Sequence, residues 1–214
     1  MTLNVATLII IHNNNQGGQM LRYQLAVIFL LISFISINAQ TKWNIDKAHS
    51  KVLFSVTHLV ISEVTGEFKG FTGSVETAKD DFSDAKIDFT VDVNSISTDN
   101  DMRDKHLKSD DFFNAEKFPQ ITFKGKSLKK VKGNNYKLTG DFTIRDVTKQ
   151  VTLDVIYNGT IKDPYGNTKA GFKITGQINR FDYNLKWNAL IEAGGAVVGK
   201  TVTMTINLEI QKAS

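Results

Sequence analysis

Cysteine is absent from the 214 residues. That removes disulfides, thiolate nucleophiles, cysteine-based metal or iron–sulfur sites and a lipidated N-terminal cysteine together. It leaves the compartment open, since an exported chain need not use oxidising chemistry. Proline occurs twice, too rarely for a proline-rich linker or a low-complexity tail. No unit recurs at a fixed period, which excludes solenoids and propellers. Neither charge sign dominates: the net charge is +4 and the basic residues are scattered. The densest basic stretch runs from Lys124 to Lys132 and enters Gly133-Asn134-Asn135, a turn signal. With no aromatic-rich or helical recognition motif beside it, the stretch reads as a strand end whose lysines discourage edge-to-edge pairing, not as a nucleic-acid surface. Gly-x-Ser-x-Gly and the phosphate-binding loop are also missing, so the common hydrolase and nucleotide motifs give no support to an enzyme.

What is present begins with a leader. From Met20 a basic start (Arg22) is followed by an apolar run from Leu25 to Ile37 and then Asn38-Ala39-Gln40. These are the parts of a secretory signal, and the run is too short for a comfortable membrane span. The expected organisation is therefore an upstream leader over 1–19, a signal peptide over 20–39 cleaved after Ala39, and one domain over 40–214, placed in the periplasm or outside the cell.

Over that domain the hydrophobic period is two. Val52, Phe54, Val56 and His58 share one face; Ile87, Phe89, Val91 and Val93 repeat the pattern, as do Tyr136, Leu138, Phe142 and Ile144. Val151 to Tyr157, Phe172 to Ile178 and Val202 to Ile210 alternate in the same way. Strict alternation means one apolar and one wet face per strand. Further strands near Trp43–Ala48, Glu67–Thr77 and Gln120–Lys126, with turns at Gly133-Asn134-Asn135, Arg145-Asp146 and Asp163–Asn167, give about eight or nine. That number of half-buried strands wants an antiparallel barrel or sandwich. One short helix is expected after Thr98-Asp99-Asn100-Asp101, which has capping-box spacing, and Phe118-Pro119 ends the segment.

Ordered pieces of the chain carry a resemblance. They are Trp43-Asn44-Ile45-Asp46-Lys47-Ala48-His49-Ser50, Phe54-Ser55-Val56-Thr57-His58, Gly66-Glu67-Phe68 and Phe71-Thr72-Gly73. Ser97-Thr98, Arg103-Asp104-Lys105-His106-Leu107 running to Phe112-Phe113, Phe118-Pro119-Gln120-Ile121-Thr122-Phe123, Gly140-Asp141-Phe142 and Arg180-Phe181-Asp182 follow. In order and spacing these pieces resemble the YceI-like family of exported lipid-binding proteins. The resemblance implies an extended lipocalin-like barrel that binds a polyisoprenoid or similar long-chain lipid, with no cofactor beyond such an isoprenoid or quinone-like ligand. Three positions depart from the family pattern: Asp146 and Asn184 stand where glycine is usual, and Lys200 stands where an acid is usual. Asn and Asp tolerate turn conformations with positive φ; Lys200 alters the charge of a barrel rim and bears on head-group preference.

The expected ligand-binding residues are Phe54, Val56, His58, Phe68, Phe89, Phe123, Phe142 and Phe172 on the apolar faces, with Arg103, His106 and Arg180 as polar contacts. Either arginine suits an anionic head through bidentate bonding. The bland alternatives are a filled core, a satisfied core histidine and ion pairs that tie the helix to the barrel. His49, His58 and His106 lack the short spacing of metal pairs, so no metal is expected. Gly-rich Ala189–Gly199 reads as a lid over the ligand entrance or as a packed loop. Three functions follow: a lipid carrier, with transient membrane contact or a homodimer compatible with it; a solid barrel acting in stress response through surface protein partners; and, last, a hydrolase or isomerase on bound lipid.

Overall fold

The computed structural model describes residues 40–191 and 195–213. The expected leader and signal peptide lie outside the described residues. The alternating segments form β1 (Thr41–Ile45), β2 (Lys51–His58), β3 (Ser62–Phe68), β4 (Phe71–Thr77), β5 (Lys86–Asp92), β6 (Ile96–Ser97), β7 (Gln120–Lys132), β8 (Asn135–Ile144), β9 (Val147–Lys162) and β10 (Thr168–Asn179). The small pair β11 (Leu190–Ile191) and β12 (Gly195–Ala196) precedes the long β13 (Val198–Lys212). One helix, α1 (Asp101–Lys108), sits between β6 and β7.

Several of these strands are halves of longer ones. β1 and β2 lie end to end along β13, with Ile45 opposite Ile210 and Lys51 opposite Asn207. A single 3-10 turn at Lys47–His49 interrupts them. Asp46 holds that turn by accepting from the Ala48 N–H at 3.1 Å. Ser50 resumes the ladder by bonding the Glu209 N–H at 3.0 Å. β3 and β4 run on in the same way past Lys69-Gly70, and β5 and β6 past the 3-10 turn at Val93–Ser95. Joined so, eight antiparallel strands follow one another in chain order, and β13 pairs with β10 on one side and with β1 and β2 on the other. The sheet closes into a barrel, leaving one side of β7 beyond Lys124 unpaired.

Strand direction then assigns the two ends. The mouth carries the β2–β3 tip, α1 with the turns that follow it, the Arg145-Asp146 hairpin and residues 180–191 and 195–197. The floor carries the 78–85 loop, the Gly133-Asn134 and Asp163–Asn167 turns, and the outer ends of β1 and β13.

Four expectations are corrected. The first strand ends at Ile45, not Ala48. The strand expected from Glu67 begins at Ser62 and breaks at Lys69-Gly70. β7 runs to Lys132, as a strand end entering the Gly133 turn, but a register shift between Gly125 and Ser127 moves the buried side from Ile121 and Phe123 to Leu128; beyond Lys124 it pairs with β8 alone, so its lysines line an open edge. Asn100, not Thr98, caps α1, accepting from the Arg103 N–H at 3.0 Å. Thr98 instead donates its backbone N–H and its hydroxyl to Asp104. Asn184 does adopt positive φ (61°), whereas at the β8–β9 hairpin the positive φ falls on Arg145 (53°) rather than on Asp146. The apolar Gly-rich segment contributes β11 and β12, clipped by the Val197 N–H to the Ala189 carbonyl at 2.9 Å.

An interior cavity and a mouth pocket form the candidate functional site

The inward faces of the eight strands do not meet at the barrel axis. They enclose a cavity of about 130 Å³. Every lining side chain is aliphatic, aromatic or thioether: Phe68, Phe89, Phe123, Phe142 and Phe172 stand on the wall with Leu138, Leu153, Val155, Ile174, Met204, Leu208 and others. A narrow dry tunnel of this kind offers an alkyl or isoprenyl chain dispersion contacts on all sides and offers water no partner. The interior is a cavity, not a solid core.

Phe82 closes the floor. It is 2% exposed and packs against Trp43, Phe172 and Tyr157, with ring centroids 5.2, 5.1 and 5.7 Å away. Its loop is held by Asp84, which accepts from the Thr77 hydroxyl at 2.5 Å and from the Ala78 and Lys79 N–H groups at 3.1 and 3.2 Å. Phe82 lies in no periodic run, so nothing in the sequence marked it; its positive φ (59°) aims the ring inward from a loop.

At the other end a second pocket of about 180 Å³ lies between β2, β3, α1 and the segment before β13. Phe54 borders both spaces, while Val56, His58, Arg103 and His106 line this one together with Leu107, Phe112, Trp187 and Val198. His106 is wedged edge-on between Phe112 and Trp187, at 5.1 and 5.0 Å, and its Nε2 lies 2.8 Å from an Asp111 carboxylate oxygen. Arg103 donates from Nε to the Thr98 hydroxyl at 2.7 Å and from Nη2 to the Thr98 carbonyl at 2.6 Å, which ties α1 to the strand end. The pocket thus joins an apolar wall to a few polar groups, as a mouth must if a mostly apolar ligand has one polar end. Trp187 and Phe112 were missed as lining residues because both come from irregular segments.

Arg180 lines neither space. It is 2% exposed, and its guanidinium donates to the carbonyls of Gly199 (2.8 Å), Leu185 (2.5 Å), Trp187 (2.8 Å) and Val198 (3.0 Å). The fork that would have suited an anion clips the mouth segment to β13 instead.

On the outer wall Asp46, His49 and Glu209 bring their potential ligand atoms within 4.8 Å of one another. The Lys169 ammonium occupies the centre, 2.8 Å from both Asp46 Oδ2 and Glu209 Oε1. Hydrogen bonds from Lys169 and His49 hold the Asp46 carboxyl well below the usual carboxylate range, and bonds to Asp46 and Glu209 hold Lys169 above the usual lysine range. The cluster acts as a clasp across the β1–β2 break.

Comparison with known proteins agrees with this architecture. The YceI-like domain matches residues 43–210. A UPF0312 protein of Staphylococcus aureus (strain bovine RF122 / ET3-1) is 41% identical over 170 residues, covering 79% of this chain and 96% of that protein. The crystal structure of a Campylobacter jejuni YCEI protein shares 33% identity and superposes with a TM-score of 0.64, covering 74% of this chain and 90% of its own. A polyisoprenoid binding domain from Saccharophagus degradans, implicated in plant cell wall breakdown, shares the fold at 15% identity and a TM-score of 0.62, covering 80% of this chain and 98% of its own. The chain belongs to the YceI-like family.

Proposed function

We propose that this protein is an exported binding protein that sequesters or carries one long-chain lipid, of the polyisoprenoid class or similar, inside its barrel. The observation that carries the reading is the cavity wall, on which no side chain bears a charge or a hydrogen-bonding group. Removing apolar chain from water is favourable by roughly 0.8 kcal/mol per methylene, so ten methylenes supply roughly 8 kcal/mol before the costs of association. A wall without an acid, base or nucleophile supports binding rather than chemistry on the enclosed chain. The polyisoprenoid class comes from the family resemblance; the polyisoprenoid binding domain named above shares with this chain only its fold. Export rests on the signal-like pattern between Met20 and Ala39.

The test is native mass spectrometry of the protein as it accumulates in its host, followed by organic extraction. A stoichiometric adduct that extracts as a long-chain isoprenoid or quinone is the expected result. A bare protein mass that stays unchanged after incubation with such lipids overturns the reading and points to the surface and to protein partners in stress response.

A further inference from the structure

The tip of the β2–β3 hairpin is built against the rules for such a tip. Leu59 and Val60 both have positive φ, 51° and 67°, a turn geometry that favours Asn-Gly and that β-branched residues avoid. The tip nonetheless reads Leu59-Val60-Ile61, with Val60 65% and Ile61 86% exposed. Turn stability does not account for these side chains, and those of Val60 and Ile61 are turned to solvent rather than packed into the barrel.

Two more exposed apolar side chains stand on other elements of the same end. Leu190 of β11 is 86% exposed and Met102 of α1 is 82% exposed. The backbone links them to the tip. The Leu59 N–H donates to the Val197 carbonyl and the Val197 N–H to the Ala189 carbonyl, each at 2.9 Å, while α1 and the tip strands share the mouth pocket through His106 and His58. Charges on this rim are mixed: Lys105, Lys186 and Lys200 against Glu63, Asp99 and Asp101, all exposed. At the floor, exposed apolar residues lie singly: Val131 between Lys130 and Lys132, Ile161 before Lys162, and Tyr165 in the Asp163–Asn167 turn.

We propose that the mouth rim, led by Val60 and Ile61, is a membrane-docking surface that inserts shallowly into the interfacial region of a lipid bilayer and sets the mouth pocket against it. The inference rests on the carrier reading for its purpose, because a water-insoluble lipid has to be collected from and returned to a lipid surface. Insertion driven by apolar side chains with mixed charge around them predicts binding that survives salt, unlike attachment through a basic patch.

The test is co-sedimentation of the protein with vesicles of phosphatidylethanolamine and phosphatidylglycerol, at low and high salt, comparing the wild type with V60G/I61S. Glycine suits the left-handed position, so the variant should unfold no earlier than the wild type. The expected result is salt-insensitive sedimentation of the wild type and a loss of about tenfold or more in partitioning of the variant. A wild type that ignores vesicles, a variant that partitions equally, or a dimer dissolved by V60G/I61S (which would assign the rim to a second copy) each overturns the inference. Uptake of a polyprenol from detergent micelles separates it from the carrier reading. Uptake without vesicle binding removes the docking surface and leaves the carrier; tip-dependent vesicle binding without uptake does the reverse.

Discussion

Phe54 on β2 and Gly66 on β3 face each other in register, and the Phe54 ring lies over the space a side chain at Gly66 would occupy. A Cβ there would come within 2.8 Å of both Phe54 Cε1 and Thr98 Cγ2. Gly66 therefore sets the position of the one aromatic wall shared by cavity and mouth pocket. Gly66→Ala is expected to displace the ring at a cost of about 1–3 kcal/mol and to change the dissociation rate of bound lipid. In a Phe54→Ala background the same change should cost clearly less, which a double-mutant cycle by denaturant unfolding measures. Additive costs would dissociate the two residues.

Leu208 faces the void, so enlarging it should be tolerated where enlarging a packed core residue is not. Leu208→Trp is expected to cost less than about 1 kcal/mol, against about 1–3 kcal/mol for overpacking a filled core. It should also abolish the lipid adduct in native mass spectra. A large loss of stability with the adduct retained would place the ligand elsewhere.

Arg180 satisfies four carbonyls from a buried position. Arg180→Ala leaves them without donors and is expected to destabilise the fold by about 3–5 kcal/mol. Arg180→Lys should recover little, since one ammonium cannot reproduce a fork spread over Leu185, Trp187, Val198 and Gly199. Urea unfolding of both variants checks this, and near-complete rescue by lysine would refute the clip.

The Lys169 clasp has a defined pH window. Asp46 is depressed below its ordinary 3.8, so its stabilisation is complete above that value and fades as pH falls through the folded-state pKa. Lys169 is raised above its ordinary 10.5, so its stabilisation is complete below that value and fades as pH rises through the folded-state pKa. Lys169→Met is expected to lower the melting temperature at neutral pH, and the difference from the wild type should narrow in strong acid and in strong alkali. A pH-independent difference would mean that the lysine acts through packing of its stem.

How much of this was legible follows from how local each signal is. Alternation at Tyr136, Leu138, Phe142 and Ile144 is a property of one strand, and it identified faces that are buried or half-buried. The Phe residues assigned to the interior do line it. Val56, His58, Arg103 and His106 meet in one pocket although they come from β2 and α1. Arg180 shows the limit: a guanidinium suits carboxylates, phosphates and carbonyls alike, and only the fold supplies the acceptors. The breaks at Lys47–His49 and Lys69-Gly70 were blurred because each half-strand keeps the same period.

The sequence by itself determined strand identity, the side of each strand that turns inward, most turn positions and the family, because these depend on periods of two and on motifs spanning a few residues. Only the tertiary structure decided that Ile45 meets Ile210 to close the barrel, that Phe82 stops the floor, that a void persists along the axis and that Phe54 stands between it and the mouth. Those outcomes depend on register and distance between segments far apart in the chain, and no local pattern of side chains encodes them.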